Sequence, residues 1–202
     1  EELLNGNAAI VRAKVSAAAK ASPNAVIVIF ANPMDAMCHV AKEASGFPRE
    51  RIIGQGGALD SARYRYFVSD ALGVSPADVH GFVIGGHTDT TMVPVVSQTR
   101  IGGVPLTDLL PADKIAALVQ RAMRGGAEIG ELLKTGSAYY APSAATIAMV
   151  ESILLDQRRL IPCSVYHQGE YGLKDIFSGT VCQLGAGGIQ RTFELPLTDD
   201  ER

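Results

Sequence analysis

The pattern of apolar and polar positions divides the chain into two halves of different character. In the first half, short apolar runs are followed by stretches in which apolar residues recur every three or four positions, which is the period of a helix. In the second half, longer helical patterns give way to three apolar runs separated by turn residues. Strands that feed helices are typical of α/β folds, and helices grouped apart from an antiparallel sheet are typical of α+β folds. The sequence therefore predicts an α/β part followed by an α+β part.

The first predicted elements are an amphipathic helix and an apolar strand. Apolar residues three or four positions apart predict a helix over residues 2–20, namely Leu4, Ala8, Val11, Val15 and Ala18. Residues 26–30 form a continuous run of β-forming residues, which is typical of a central parallel strand covered on both faces. The run stops before Asn32. This side chain is therefore expected at the carboxyl end of a strand, where α/β folds usually bind ligands.

The remaining elements follow from the same periodicities. Helices are predicted at about residues 34–45, 58–72, 107–133, with a break at Gly125–Gly126, and 142–155. Strands are predicted at about residues 51–54, 79–84, 160–166, 179–184 and 189–195. Residues 92–101 are typical of a strand pair or of one bent strand.

One predicted strand ends at a histidine. Residues 79–84 lead through two glycines, where the backbone can turn sharply, to His87. Histidine is well matched to moving a proton near pH 7. His87 is therefore the candidate reactive centre, although a lone histidine at a strand end is also common as a structural residue.

Three further polar residues could act with His87. Asp60 could fix the tautomer of its ring and favour the charged form, and Arg63 could offer a planar fork to a carboxylate. Asn32 could form a hydrogen bond with a substrate oxygen or with a cofactor amide. The spacing alone leaves a simpler alternative open, because Asp60 and Arg63 lie three apart, as in a solvated ion pair of one helix, and an asparagine before a proline is common in turns.

Composition narrows the classes of protein to consider. The 202 residues are 47% apolar and 19% charged, which is typical of a globular domain. A net charge of -3 without a dense Lys/Arg cluster predicts no nucleic-acid partner, and no apolar run approaches the length of a membrane span. Three cysteines without CxxC spacing indicate reduced, buried thiols of an intracellular protein. No metal site is predicted, because the histidines outside the candidate centre lack ligand spacing: His39, His80 and His167.

Several ordered motifs resemble those of the lactate/malate dehydrogenase family. They are NPMD at residues 32–35, GQGGALDSAR at 54–63, and GGHTD at 85–89 followed by MVP at 92–94. A fourth motif, LLKTGSAYYAP at 132–142, resembles the tetrameric, lactate-dehydrogenase-like malate dehydrogenase branch. The similarity runs over essentially all of the chain.

The resemblance implies a fold, an activity and a set of residues. It implies a remnant of a Rossmann-type parallel sheet joined to a C-terminal domain with an antiparallel sheet and long helices. It implies a cytoplasmic, homo-oligomeric enzyme, a tetramer or dimer, that uses NAD to oxidise (S)-malate reversibly to oxaloacetate. The implied residues are His87 and Asp60 for catalysis, Arg63 and Asn32 for substrate, Asn7, Phe30, Ala31 and Asn32 for cofactor, and Ala138 near the nicotinamide. The alternatives are a lactate or other 2-hydroxyacid dehydrogenase, and a non-catalytic fragment that only oligomerises.

The sequence departs from the family at three places. No glycine-rich phosphate loop precedes the first residue, so residues 1–33 are expected to be the remainder of the NAD-binding domain, and residues 34–202 the catalytic domain without its last helix. The family's mobile substrate-selecting loop is also expected upstream of the chain. Gly185–Gly188 is not that missing phosphate loop, because it leads into a strand pattern and is expected to be a hairpin turn. At the third departure, Thr88 stands where the family usually has a glycine, and the segment after His87 is one residue longer than in the family. The backbone after His87 is therefore expected to differ from that of the family.

Overall fold

Strands and helices alternate in the first half of the chain, as predicted, and separate in the second. The computed structural model describes residues 2–202. The helices are α1 (Glu2–Ala21), α2 (Met34–Ser45), α3 (Gly56–Leu72), α4 (Leu106–Leu109), α5 (Ala112–Met123), α6 (Gly125–Leu133) and α7 (Tyr140–Leu154). The strands are β1 (Ile27–Ile29), β2 (Ile52–Gly54), β3 (Val79–His80), β4 (Val83–Gly85), β5 (Met92–Pro94), β6 (Arg100–Ile101), β7 (Val104–Pro105), β8 (Arg159–Gln168), β9 (Lys174–Gly185) and β10 (Gly188–Phe193).

A seven-stranded mixed sheet connects the two halves of the chain. Its order is β1-β2-β8-β9-β4-β5, and β10 also pairs with β9. Only β1 and β2 pair in parallel; the other pairs of this sheet are antiparallel. A small second sheet has the order β3-β6-β7. The predicted fold class, a parallel α/β part joined to an antiparallel α+β part, is confirmed.

The first strand differs from the prediction in length and position. β1 spans Ile27–Ile29 rather than residues 26–30, and in the described chain it lies at the edge of the sheet rather than at its centre. Phe30 lies beyond the strand and is 62% exposed. In α1, Val11 and Val15 are buried in the core cluster that also contains residues of α2, whereas Leu4 and Ala18 are exposed.

The strand predicted over residues 79–84 is divided between the two sheets. β3 joins the small sheet and β4 the main sheet. Between them, Gly81 packs against Tyr64 of α3, and the amide of Val83 donates to the hydroxyl of Ser61 at 2.8 Å. A side chain of α3 therefore satisfies a backbone amide that would have paired with a neighbouring strand if residues 79–84 formed one continuous strand.

The predicted long helix over residues 107–133 is three helices. Pro111 separates α4 from α5, since proline removes a helix donor and restricts the preceding residue. Arg124 separates α5 from α6, next to the predicted break at Gly125–Gly126. Between β5 and β6, residues 96–98 form a short 3₁₀ turn, so the segment 92–101 is two strands rather than one.

The three long C-terminal strands form the predicted antiparallel meander. β9 pairs with both β8 and β10, and Gly185 faces Gly188 across the turn. Gly187 and Gly188 have φ values of 85° and 105°, which glycine adopts without a steric penalty. Gly185–Gly188 is therefore a hairpin turn, as predicted. Cys38, Cys163 and Cys182 are buried and form no disulfide.

No helix among residues 2–202 has the length and apolar character that a membrane span requires.

An ion pair joins the β8–β9 connection to the segment before β2. Arg49 lies 2.9 Å from Glu170, whose side chain is 12% exposed. Burial would raise the pKa of the Glu170 carboxyl, but hydrogen bonds from backbone amides and from Arg49 outweigh it and lower the pKa to about 2. Because this pKa is below the ordinary value of 4.5, the ion pair stabilises the fold above pH 4.5, and this stability is lost as the pH falls towards 2.

We therefore expect Glu170→Gln to lower the free energy of unfolding by about 2 kcal/mol at pH 7. The loss should shrink as the pH falls through the acid range. Urea unfolding at pH 7 and pH 3 measures both values. Glu50→Gln is the matched control, because Glu50 also pairs with Arg49, at 3.3 Å, but is 49% exposed and should contribute little. Equal losses in the two variants at pH 7 would contradict this assignment.

Candidate functional site

His87 follows β4 and lies against the N-terminal half of α3. Its Nδ1 is 2.7 Å from Oδ2 of Asp60, and the two side chains are 17% and 3% exposed. The glycines before His87 turn the chain at the end of β4, and α3 begins at Gly56, so that Asp60 lies just beyond the first helical turn. The structure therefore brings the predicted pair together.

This contact defines what the imidazole can do. A carboxylate can only accept, so Nδ1–H donates to Asp60 and Nε2 is left to exchange a proton. Burial lowers the pKa of His87, but the hydrogen bond and charge of Asp60, with the charge of Asp35, outweigh both burial and the opposing charge of Arg63. The pKa of His87 is therefore raised above the ordinary value of 6.5.

Arg63 lies on the same face of α3. Its Nη1 is 3.5 Å from Oδ1 of Asp60, and its side chain is 11% exposed. Arg63 Nε and Asp60 Oδ1 are both buried and have no hydrogen-bond partner within residues 2–202. Burial lowers the pKa of the Arg63 guanidinium, and the carboxylates of Asp60 and Asp89 oppose this effect. An anion bound at the guanidinium would reduce the cost of burying its charge.

Gly56 brings the backbone of α3 close to His87. A Cβ atom at this position would lie 2.6 Å from both Cγ and Nδ1 of the His87 ring. The amide of Gly56 donates to Sδ of Met34 at 3.0 Å. Met34 is buried, as a core residue should be, but it also contacts the backbone of the site.

We expect Gly56→Ala to displace the imidazole from Asp60. A shift of about 1 Å in a reacting group can lower a catalysed rate about 10²-fold, so the kcat of any reaction in which His87 transfers the proton should fall by that order. The pKa of His87, measured by NMR titration, should fall in the same variant because its carboxylate contact is lost. Gly130→Ala is the control, since its added Cβ meets no atom within 4 Å. An unchanged pKa of His87 in Gly56→Ala would contradict the close packing of the His87 ring on Gly56.

The residues predicted to contact a cofactor meet at the end of β1. Nδ2 of Asn7, on α1, donates to the backbone carbonyl of Asn32 at 2.6 Å. Phe30 and the side chain of Asn32 are exposed, and Ala31 is half-buried. This strand end therefore offers both an apolar ring and polar amide groups to a ligand.

One other predicted site residue, Ala138, does not join this cluster. Ala138 is half-buried on the loop between α6 and α7, and no hydrogen bond within residues 2–202 connects it to the other site residues. Over the same range, no three His, Cys, Asp or Glu side chains are grouped as metal ligands would be.

The turn after His87 is closed by threonines. The Thr88 carbonyl accepts from the amides of Thr91 and Met92, each at 3.1 Å, and the Thr88 and Thr91 hydroxyls are 2.6 Å apart. Thr88 has a negative φ, and the positive φ nearby, 83°, belongs to Gly85. A β-branched residue is therefore accommodated at position 88 without backbone strain.

Sequence reasoning missed Asp35. Its Oδ2 accepts from the amide of His87 at 2.8 Å, and its Oδ1 accepts from the hydroxyl of Ser164 at 2.6 Å. Asp35 belongs to the NPMD motif, but an acidic residue in the first turn of a helix is sufficiently explained by the helix dipole. Only the tertiary structure reveals its contact with His87.

Two family models together match nearly all of the chain. Residues 1–54 match the lactate/malate dehydrogenase NAD binding domain, and residues 57–202 match the lactate/malate dehydrogenase alpha/beta C-terminal domain. The expected domain boundary after residue 33 stays a prediction.

Individual relatives show the same similarity. A malate dehydrogenase from Roseiflexus sp. (strain RS-1) is 52% identical over 201 residues, which is 100% of this chain and 65% of that protein. The chain thus spans about two thirds of its relative's length. The solved malate dehydrogenase from Salinibacter ruber is 44% identical, with a TM-score of 0.95 over 99% of this chain and 65% of that one. The Cryptosporidium parvum lactate dehydrogenase, solved with lactic acid and NAD, is 38% identical, with a TM-score of 0.96 over 99% of this chain and 64% of that one.

Proposed function

Because the chain belongs to the lactate/malate dehydrogenase family, we propose that it provides the acid/base and substrate-binding groups of an NAD-dependent malate dehydrogenase. The observation that carries this proposal is the cluster on α3. There, Asp60 contacts both a proton carrier, His87, and a buried guanidinium with an unpaired donor, Arg63. A 2-hydroxyacid needs both groups, one for its hydroxyl proton and one for its carboxylate.

The end of β1 fits one part of the cofactor. Asn7 and Asn32 present amide groups beside the exposed ring of Phe30, and a nicotinamide riboside has hydroxyls, an amide and an aromatic ring. Ala31 lines the same strand end, and Ala138 is proposed to lie near the nicotinamide. NAD, when bound, accepts or supplies the hydride. The protein's own residues supply position and charge.

His87 moves the proton that accompanies the hydride. In reduction of oxaloacetate, Nε2–H of the imidazolium donates to the carbonyl oxygen, and in oxidation of malate neutral Nε2 accepts the hydroxyl proton. Asp60 holds Nδ1–H and stabilises the imidazolium. Arg63 binds the substrate carboxylate through two parallel hydrogen bonds, and the Asn32 amide donates to a substrate oxygen.

Malate is proposed over lactate because the relative that is 52% identical is a malate dehydrogenase. A lactate enzyme is the second candidate, since a lactate dehydrogenase shares the fold with a TM-score of 0.96. NADH oxidation by the full-length polypeptide distinguishes them. We expect a higher kcat/KM with oxaloacetate than with pyruvate. The opposite preference would favour the second candidate.

The protein is proposed to act in the cytoplasm as a homo-oligomer, either a tetramer or a dimer. Exposed apolar side chains on and after α7 support an additional packing partner: Ile147 at 57%, Leu154 at 77% and Leu155 at 68% exposure. Light scattering on the full-length polypeptide should give the mass of an oligomer. A defined oligomer that binds no NADH would instead favour the non-catalytic alternative.

A further inference from the structure

Asp35 connects three separate parts of the chain at one carboxylate. It lies in the first turn of α2 and is half-buried. Its Oδ2 accepts from the amide of His87 at 2.8 Å, in the turn after β4, and its Oδ1 accepts from the Ser164 hydroxyl at 2.6 Å, on β8. Each oxygen thus has a partner from a different element.

The bond to His87 falls where the sheet ends. Gly85 pairs with Met92 and Gly86 donates to Thr91, but the next amide, that of His87, turns away from β5. Asp35 therefore satisfies a backbone donor that the hairpin leaves without a strand partner. A hydrogen bond from an amide to a charged acceptor is stronger than one to a neutral acceptor.

We propose that Asp35 is a positioning residue for His87: its carboxylate fixes the backbone from which the imidazole projects and holds a second negative charge beside the ring. The proposal deepens the function proposed above and rests on the role of His87 in it. Asp60 orients the ring through Nδ1, and Asp35 fixes the backbone to which the ring is attached.

The charges around His87 determine whether its imidazolium form is favoured. The charges of Asp60 and Arg63 act on the imidazole from α3, and the charge of Asp35 acts on it from α2. Asp89, in the same turn as His87, acts on Arg63. Asp60 and Asp35 both favour the imidazolium, whereas burial and Arg63 disfavour it. Removing the charge of Asp35 should therefore make His87 a weaker base.

Asp35→Asn tests the charge with little change in shape. The asparagine oxygen can still accept from the His87 amide, and its nitrogen can donate to Ser164. In the full-length polypeptide, we expect kcat for oxaloacetate reduction to fall about 10- to 100-fold, with the KM for NADH unchanged. The pKa of His87, followed by NMR without substrate or cofactor, should fall below its value in the unmodified protein.

Two matched variants separate charge from structure. Asp113→Asn makes the same change in the first turn of α5, at an exposed site, and should alter neither kcat nor the pKa of His87. Ser164→Ala removes one bond to Asp35 but keeps its charge, so it should change the pKa of His87 less than Asp35→Asn does.

An unchanged pKa of His87 in a folded Asp35→Asn variant would overturn the proposal. This readout needs no turnover, so it stands even if oxaloacetate is not the substrate, which the substrate comparison tests separately. If the Asp35→Asn variant does not fold, the hydrogen-exchange rate of the His87 amide in the unmodified protein tests the proposal instead. A His87 amide that is protected supports the proposal, and one that exchanges as fast as the amide of exposed Thr90 refutes it.

Discussion

Replacing His87 with asparagine is expected to lower kcat for oxaloacetate reduction by about 10²- to 10⁴-fold. Asparagine can still donate to Asp60, so the buried carboxylate keeps a partner and the fold is retained. It cannot exchange a proton near pH 7. Because binding groups are untouched, the affinity for NADH should remain. Steady-state kinetics and NADH fluorescence titration measure the two effects.

His80→Asn is the matched control for this variant. His80 is exposed on β3, in the small sheet, and its replacement should leave kcat unchanged. Full activity in His87→Asn would remove His87 from the mechanism. Equal losses in both variants would indicate an effect on folding rather than on proton transfer.

Replacing Arg63 with lysine is expected to lower kcat/KM for oxaloacetate by about 10²- to 10³-fold. Lysine keeps the positive charge but loses the planar fork that binds a carboxylate through two hydrogen bonds. Arg63 is 11% exposed, so an incoming carboxylate meets it in a site largely removed from water, where losing a partner of a buried charge pair costs about 2–5 kcal/mol. Initial rates over a range of oxaloacetate concentrations measure kcat/KM.

Arg12→Lys is the matched control for Arg63→Lys. Arg12 pairs with Glu43 at 3.0 Å on the surface, where both side chains are more than half exposed, so its replacement should have no effect on kcat/KM. A lysine at position 63 that supports normal kcat/KM would show that the substrate carboxylate binds elsewhere.

Local patterns predicted most of the elements but not how they are divided. The meander of β8–β10 follows from alternation and turn glycines, which are local properties. The split of residues 79–84 into β3 and β4 depends on Ser61, which lies 22 residues before Val83. The Ser61 hydroxyl accepts a hydrogen bond from the amide of Val83. Periodicity carries no information about such a contact, so the sequence predicts one strand where the structure has two.

The site was predictable only where its residues share an element or a motif. Asp60 and Arg63 lie on one helical face by spacing alone. Their meeting with His87 could be expected from the family resemblance, but the fit of its ring against Gly56 and the bond from its amide to Asp35 could not. Both depend on the relative placement of α2, α3 and β4, which is a property of the tertiary structure.

The pH dependence of oxaloacetate reduction tests the central claim, that His87 carries the proton. Reduction needs the imidazolium, and the pKa of His87 is raised above 6.5. We expect kcat/KM to stay high at lower pH and to fall as the pH rises through a pKa above 6.5, equal to the one that NMR titration gives for His87 in the free protein. A kcat/KM that shows no such fall, or a fall at a pKa that differs from that of His87, would contradict it.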